Sequence, residues 1–248
     1  MNKNYSYFLD YLNKNKNTSK KKVLDFGCGE GKLLNTLIEN GFDAYGVDTN
    51  HTKNNKKYIG NKLVEKNKLK LITEDENLPF EDGYFNFVIS NMVFEHVFNI
   101  ELAVSEIYRV LKNDGIAYLR FPSYEIVREG HTGIPFTHRF KNKKLLRLYM
   151  NFAFSLGFGV NRKKHGTKEE WVNHMIDYLE NKTIYRKKSE IMKIFSQFYV
   201  TQKEISFLEF YFQNKRILKY LLSTKFKHLL IFAYKKYVTL DFELRKII

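Results

Sequence analysis

Short apolar runs alternate with helical patterns through the first half of the chain. The runs predict five strands, at residues 21–26, 43–48, 69–73, 85–91 and 116–121. Apolar residues recur at helical spacing between them, most clearly over 33–38 and 100–111, and a polar stretch from His51 is expected to begin a further helix. Gly115 follows the 100–111 pattern, where a left-handed helix end is expected. Strands alternating with helices in this way predict an α/β fold with a parallel, doubly wound sheet.

The second half of the chain has a different pattern. Residues 123–183 begin as a loop rich in histidine, arginine and aromatic residues and continue into helices predicted at 141–155 and 167–180. After a helix at 187–198, the runs 200–210 and 228–237 are predicted as strands that flank a helix at 215–222 and close the sheet as an antiparallel pair.

The predicted fold is therefore Rossmann-like, with a seven-stranded, mostly parallel sheet, helices on both faces and a helical insertion after the fifth strand. We expect a single domain over residues 1–248. Its core would comprise 20–122 and 186–240, and residues 123–185 would form a cap.

Composition places this chain among soluble globular proteins. Hydrophobic residues make up 44% and aromatic residues 16%, which is more than a disordered chain carries. No run reaches the roughly 20 apolar residues of a membrane span, and Asp10 interrupts the start of the chain, so neither a span nor a signal peptide is expected. The single cysteine, Cys28, cannot form an intrachain disulfide and suits a reducing cytoplasm.

Positive charge is concentrated in the second half. Residues 1–122 carry 17 Lys and Arg against 16 Asp and Glu, whereas residues 123–248 carry 25 against 11, and the whole chain has a formal charge of +15. Such a field favours anionic partners. An A+T-rich genome also produces abundant lysine and asparagine without selection for binding, and both interpretations stay open.

A glycine-rich turn joins the first strand to the first helix. In VLDFGCGEG the glycines fall at 27, 29 and 31, and Asp48 ends the next strand, 19 positions after Gly29. A carboxylate at that point holds ribose hydroxyls in nucleotide-binding folds. The dinucleotide fingerprint has its glycines at positions one, three and six, and here Asp25 and Glu30 would repel a pyrophosphate. The pattern instead suits a nucleoside ligand that carries a cationic sulfonium.

Four segments together resemble the successive motifs of class I S-adenosylmethionine methyltransferases. They are VLDFGCGEGKLL, VDTN, ENLPFEDGYFNFVISNMVFEHV and LKNDGIAYLRFP. The resemblance covers residues 20–122 and implies S-adenosylmethionine as cofactor and S-adenosylhomocysteine as product. The cofactor-binding residues that it implies are Asp25, Gly27, Cys28, Gly29, Asp48, Thr49, Glu74, Asp75 and Asn91.

The implied roles differ along the motifs. Asp25, Gly27 and Gly29 would surround the methionine moiety, with Cys28 as a packing residue, and Asp48 would hold the ribose. Glu74 or Asp75 would accept from the adenine amine, although the family usually has aspartate at the first position, and Asn91 would lie near the transferable methyl. Ordinary polarity of solvated loops is the alternative explanation for these last three residues.

Methyl transfer needs mainly an aligned acceptor, and a hydroxyl acceptor also needs a base. His131 and His138, directly after the fifth strand, are the predicted catalytic bases. Predicted substrate-binding residues are Tyr124, Arg128, Arg139 and His96. The arginines suit phosphate or carboxylate. As alternatives, the two histidines could merely order the loop, and His96 could have a capping or packing role.

The segment REGHTGIPFTHRF resembles a pattern in methyltransferases from bacterial surface-glycan clusters. That similarity implies O-methylation of a small anionic intermediate of capsule or surface polysaccharide, such as a phosphate, phosphoramidate or nucleotide sugar. A neutral sugar or another small metabolite is the alternative acceptor.

Other functions are disfavoured by particular segments. Base-amine methylation normally requires an Asn or Asp, Pro, Pro, aromatic run after the fourth strand, where this chain reads SNMV, so no stable nucleic-acid partner is expected. Polar groups near the predicted pocket disfavour a non-catalytic cofactor-binding protein. No metal is expected, because the sequence shows no cluster of His, Cys and carboxylate at ligand spacing.

Overall fold

Seven strands form one sheet in the computed structural model, which describes residues 2–15, 21–49, 59–73, 77–164 and 166–247. The strands are β1 (Lys22–Phe26), β2 (Asp43–Asp48), β3 (Leu69–Leu71), β4 (Phe85–Asn91), β5 (Leu111–Phe121), β6 (Phe198–Gln202) and β7 (Leu240–Lys246). Their order is β3-β2-β1-β4-β5-β7-β6. The first five strands are parallel, whereas β7 runs antiparallel to both of its neighbours. The predicted seven-stranded, mostly parallel α/β sheet is confirmed.

Helices cover both faces of the sheet. In the described part of the chain they are α1 (Lys3–Lys14), α2 (Lys32–Glu39), α3 (Ile59–Glu65), α4 (Ile100–Val110), α5 (Lys143–Ser155), α6 (Lys168–Lys182), α7 (Lys188–Ile194), α8 (Glu204–Phe212), α9 (Arg216–Leu222) and α10 (Lys227–Tyr237). Alternate strand residues enter two separate cores, one with α1, α2 and α8 and the other with α4 and α7. None of the described helices is long and apolar enough to cross a membrane.

The N-terminal helix α1 was not predicted from the sequence. The Asn2 side chain caps it by accepting from the Asn4 backbone N–H at 2.9 Å. Its buried residues are Tyr7, Phe8, Tyr11 and Leu12. The Tyr11 hydroxyl donates to the Glu243 carboxylate at 2.6 Å, so α1 is attached to β7 at the far end of the chain.

The two predicted C-terminal strands are wrong. Residues 200–210 contain the end of β6 and most of α8, and residues 228–237 lie within α10. Short apolar runs do not by themselves distinguish a strand from a helix. In α10 the helical period places Tyr234 in the core while Leu229 and Phe232 stay exposed. The antiparallel pair itself exists, but β6 and β7 form it.

Two predictions around helix ends also change. α4 ends at Val110 with Leu111 as its cap, and residues 113–115 belong to β5, so the predicted helix end at Gly115 is wrong. A Cβ at Gly115 would lie 2.9 Å from Leu111 Cδ2, so close packing accounts for this glycine. The helix expected to begin at His51 lies outside the described residues up to position 58.

The insertion after β5 packs around a small core of its own. That core contains Ile134, Leu146, Met150, Ala153, Trp171, Val172, Met175, Ile176 and Leu179. The Trp171 indole N–H donates to the Val160 carbonyl at 2.9 Å, and Thr167 and Glu170 form a capping box at the start of α6. The predicted helical insertion after the fifth strand is confirmed, and other residues of α6 line a cavity at the carboxyl end of the sheet.

Candidate active site

The glycine turn lies where the strand order of the sheet reverses, between β1 and β4. The backbone N–H groups of Gly27 and Cys28 both donate to the Val47 carbonyl, at 2.9 and 3.0 Å. The next N–H, that of Gly29, donates to the Asp48 carboxylate at 2.7 Å. These bonds hold the turn against the carboxyl end of β2, which is the usual position of a ligand site in open α/β sheets.

Two glycines of the turn are needed for different reasons. Gly27 has φ +75°, and a Cβ there would lie 2.4 Å from both Cγ atoms of Val93. Gly29 has φ +53°, but a Cβ there would meet nothing within 4 Å. Gly27 therefore permits close packing of two loops, whereas Gly29 keeps open space beside the cavity described below.

Alanine substitutions at Gly27 and Gly29 should have different effects on stability and on ligand affinity. Gly27→Ala should lower the free energy of unfolding by about 1–3 kcal/mol more than Gly41→Ala, because both positions have positive φ but only the first meets Val93. Gly29→Ala should match Gly41→Ala in stability and still lose affinity for a ligand in the cavity. Urea titration and calorimetry test both statements, and equal unfolding free energies for Gly27→Ala and Gly41→Ala would refute the packing role.

Two carboxylates lie beside the turn. Asp25, on β1, is only 3% exposed, and its Oδ2 has no hydrogen-bond partner among the described residues. Burial, together with the nearby charge of Asp48, raises the pKa of Asp25 to about 7. A cation bound at this end of the sheet would stabilise the ionised carboxylate, so the geometry favours a positively charged group over a phosphate.

A cavity of about 500 Å³ opens next to the glycine turn. The sheet side of its wall contains Phe26, Gly27, Gly29, Val47, Asp48, Thr49, Ile72, Thr73 and Leu78. The segment after β4 and the helix α4 add Met92, Val93, His96, Val97, Phe98, Leu102, Ala103 and Glu106. The helix α6 adds His174, Asp177, Tyr178 and Lys182.

The predicted cofactor residues are only partly in this wall. Gly27, Gly29, Asp48 and Thr49 line it, as does His96 from the predicted substrate set. Three residues of the predicted cofactor set lie in the described part of the chain but outside the wall, namely Asp25, Cys28 and Asn91. Cys28 packs against β2, where a Cβ on Gly46 would lie 2.7 Å from its Sγ. Glu74 and Asp75 fall outside the described residues.

The α6 residues in the wall were missed by the sequence analysis. His174, Asp177 and Tyr178 stand at helical spacing on a stripe of α6 that adjoins Trp171, which enters the insertion core. This polar stripe is visible in the sequence. Its meaning depends on the placement of α6 over the sheet, which the sequence does not show.

Next to the cavity lies a buried cluster of histidines and carboxylates. His131 Nδ1 lies 2.7 Å from Glu129 Oε1, and the Tyr185 hydroxyl donates to the same oxygen at 2.5 Å. The rings of His96 and His131 meet edge to face with centroids 5.1 Å apart. The predicted catalytic residue His131 therefore touches a wall residue but is not itself in the wall.

Charges in this cluster shift its pKa values. Burial alone would raise the pKa of Glu129, but hydrogen bonds from His131 and Tyr185 lower it to about 2. The Glu129 charge outweighs the burial of His131 and raises the pKa of that imidazole. Burial raises the pKa of Glu95 to about 7, and both of its carboxylate oxygens have no hydrogen-bond partner among the described residues.

The remaining predicted residues lie outside the cavity wall. His138 Nε2 donates to the Tyr124 carbonyl at 3.0 Å, and its ring packs on Tyr185. Arg139 Nη2 donates to the carbonyls of residues 125 and 126, both at 3.1 Å. Arg128 is exposed, and its backbone forms an isolated antiparallel β-bridge with Pro135. These contacts order the loop after β5, and they match the alternative explanation that the sequence analysis kept for His138.

Comparison with known proteins identifies the family. A family model described as a methyltransferase domain matches residues 1–165. The chain is 32% identical over 120 residues to the ubiquinone biosynthesis O-methyltransferase of Rickettsia prowazekii, covering 46% of this chain and 45% of that protein. It is 34% identical over 108 residues to the sterol 24-C-methyltransferase of Pneumocystis carinii, covering 42% and 28%. The chain thus spans less than half the length of these curated relatives.

Solved structures share the fold. Haemonchus contortus phosphoethanolamine N-methyltransferase 2, in complex with phosphomonomethylethanolamine and S-adenosylhomocysteine, gives a TM-score of 0.52 at 14% identity, covering 97% of this chain and 52% of that one. The geranyl diphosphate C-methyltransferase of Streptomyces coelicolor, in complex with Mg²⁺, geranyl diphosphate and S-adenosylhomocysteine, gives 0.51 at 13% identity, covering 98% and 80%. At these identities the likeness extends to the fold alone.

Proposed function

The chain belongs to the methyltransferase domain family, and we propose that it transfers a methyl group from S-adenosylmethionine to a small acceptor with a hydroxyl group. The observation that carries this proposal is the cavity at the carboxyl end of the sheet, whose wall holds Gly27, Gly29 and Asp48 together. The glycine turn and a carboxylate at the end of the second strand suit a nucleoside ligand. The cofactor supplies the leaving group, so the protein has mainly to align the acceptor.

The cofactor would span the glycine turn. Asp48 accepts from the ribose hydroxyls while it still holds the Gly29 N–H, and the methionine end extends toward Asp25. The buried Asp25 carboxylate favours the cationic ammonium and sulfonium groups of this cofactor. Apolar residues such as Ile72 and Leu102 offer a surface for the adenine ring.

The acceptor would occupy the α6 end of the cavity. His174, Tyr178 and Lys182 are the groups there that can bind or deprotonate it. Lys182 supports the anionic acceptor expected from the sequence, because it is a wall residue and a lysine ammonium binds phosphate. Arg128 and Arg139 lie elsewhere, so they add no support. We propose a phosphate-bearing or nucleotide-sugar intermediate of surface polysaccharide, with neutral sugars as the alternative.

A hydroxyl acceptor must lose its proton during transfer. We propose His174 as the base, because it lines the cavity from an exposed position on α6. The sequence-predicted bases, His131 and His138, hydrogen-bond Glu129 and the Tyr124 carbonyl respectively. In this arrangement residues 123–185 act as a cap on a core of 20–122 and 186–240, and α6 is the part of the cap that reaches the reaction.

A panel of acceptors tests the proposed substrate class. Formation of S-adenosylhomocysteine should occur with phosphorylated glycan precursors, and Lys182→Ala should raise their KM about tenfold or more while leaving neutral acceptors unchanged. Lys187→Ala is the matched control, since Lys187 is exposed and is not among the wall residues. Turnover confined to neutral acceptors would overturn the anionic acceptor and leave the methyltransferase assignment in place.

A further inference from the structure

Three ligand-type side chains meet beside the cavity although two of them are distant from the third in sequence. Glu95 and His96 follow β4, and His131 lies in the loop after β5. One donor atom from each lies within 4.8 Å of the other two. The expectation of no metal rested on spacing within the sequence, and these three residues come together only through the fold.

We propose that Glu95, His96 and His131 form a binding site for a divalent transition-metal ion. Two imidazoles and one carboxylate are a donor set that Zn²⁺, Mn²⁺, Fe²⁺ and Co²⁺ accept. Metal–ligand distances of about 2.0–2.2 Å require the donors to approach one another by roughly 1–2 Å, which side-chain rotations can provide.

The buried carboxylate is the strongest observation for the ion. Glu95 is 1% exposed, and neither of its oxygens accepts a hydrogen bond from another described residue. A buried carboxylate without hydrogen bonds is unfavourable unless it is paired, protonated or bound to a metal. His96 Nε2 lies 4.0 Å from Glu95 Oε1, which is too far for a hydrogen bond. An ion between these atoms would satisfy the carboxylate directly.

In each histidine, a hydrogen bond at Nδ1 leaves Nε2 as the nitrogen that can bind a metal. His96 Nδ1 donates to the Lys182 carbonyl at 2.6 Å, and His131 Nδ1 donates to the Glu129 carboxylate at 2.7 Å. In a neutral ring whose Nδ1 carries the proton, Nε2 carries the lone pair. Metal-binding histidines in proteins almost always have such a carbonyl or carboxylate partner behind them. In their neutral forms both rings therefore have the tautomer that a metal requires.

The proposed metal site lies directly beside the cavity, where an ion could act on a bound acceptor. His96 belongs to the cavity wall, and the Tyr178 ring packs on His131 with centroids 4.9 Å apart while also lining the wall. An ion at this place can bind an acceptor oxygen and lower the pKa of a hydroxyl, which leaves His174 to take the proton. This last step rests on the proposed function, whereas the metal site does not.

Metal binding is tested on the cofactor-free protein after removal of metals by a chelator. Calorimetric titration with Zn²⁺, and the visible absorption of bound Co²⁺, should show one ion per chain. Glu95→Gln and His131→Ala should each weaken binding at least tenfold, and Glu129→Gln should weaken it about 10- to 100-fold by releasing His131. His228→Ala, an exposed histidine on α10, is the matched control and should bind as the wild type does.

Thermal unfolding distinguishes lost ligands from lost structure. Zn²⁺ should raise the midpoint of the wild type and of His228→Ala but not of Glu95→Gln, because only an ion bound to the folded state stabilises it. If His131→Ala fails to fold, Glu129→Gln tests the role of His131 instead, because it removes the carboxylate that holds the His131 ring. Absence of binding by the wild type at millimolar Zn²⁺ and Co²⁺, or binding by Glu95→Gln within tenfold of the wild type, would overturn the site. Asp48→Ala should bind the ion as the wild type does, because Asp48 is not one of the three proposed ligands. Loss of cofactor binding in this variant is therefore distinguishable from loss of the metal site.

Discussion

Asp48→Ala should lower affinity for S-adenosylhomocysteine on the order of 100-fold. The carboxylate is half-buried in the cavity wall, accepts from the Gly29 N–H at 2.7 Å and would accept from two ribose hydroxyls. Hydrogen bonds to a charged group contribute about 1.5–3 kcal/mol each, so their joint loss is large. Calorimetry on the variant and the wild type measures the difference.

Two further variants show whether the effect arises at the ribose. Asp48→Asn keeps an oxygen for the Gly29 N–H and should lose only about tenfold, since a neutral amide accepts more weakly than a carboxylate. Asp43→Asn changes an aspartate at the opposite end of the same strand, paired with Lys68, and should leave affinity unchanged. Equal affinity for Asp48→Ala and the wild type would mean that the ribose lies elsewhere.

Arg120→Met should lower the free energy of unfolding by about 3–5 kcal/mol. Arg120 is 3% exposed in the middle of the sheet, and its Nε lies 3.5 Å from Oδ1 of the fully buried Asp241. Its guanidinium also stacks on Phe207 at 3.6 Å and donates to Asn4 Oδ1 at 3.0 Å. Removing it leaves a buried carboxylate without its cation, which chemical denaturation should register as a lower midpoint.

The controls for Arg120 use the same strand pair. Arg245→Met removes an arginine that is 47% exposed and pairs with Glu243, and should change stability by about 1 kcal/mol or less. The double change Arg120→Met with Asp241→Leu should recover part of the loss, because no charge is then buried unpaired. A single Arg120→Met variant as stable as the wild type would show that this pair does not contribute to stability.

The parallel half of the sheet could be predicted because its signals are local. Strands β2 and β4 have the predicted bounds, and α2 follows the glycine turn as expected. The last strand could not be found in this way. Asp241 and Glu243 interrupt the apolar alternation of β7, and both are buried only because distant partners pair with them, among them Arg120 and Tyr11. Partners separated by more than 100 positions leave no local pattern.

In the candidate site too, some residues could be predicted from local sequence motifs and others could not. Gly27, Gly29 and Asp48 come from motifs that short segments contain, and the structure brings them together in one wall. The proposed acceptor end depends on where α6 is placed over the sheet, so the wall residues His174 and Lys182 could not be predicted. The loop after β5 was expected to supply catalytic and substrate-binding residues, but the structure uses His138 and Arg139 for hydrogen bonds within that loop.

Calorimetric titration of the wild-type chain with S-adenosylhomocysteine tests the central claim most directly. Binding at one site per chain, with a dissociation constant on the order of micromolar and about −8 kcal/mol of binding free energy, is the result that the cavity predicts. A dinucleotide such as NAD should give no heat in the same cell, because Asp25 and Glu30 oppose a pyrophosphate. Absence of heat with both S-adenosylmethionine and S-adenosylhomocysteine, or equally tight binding of NAD, would contradict the account.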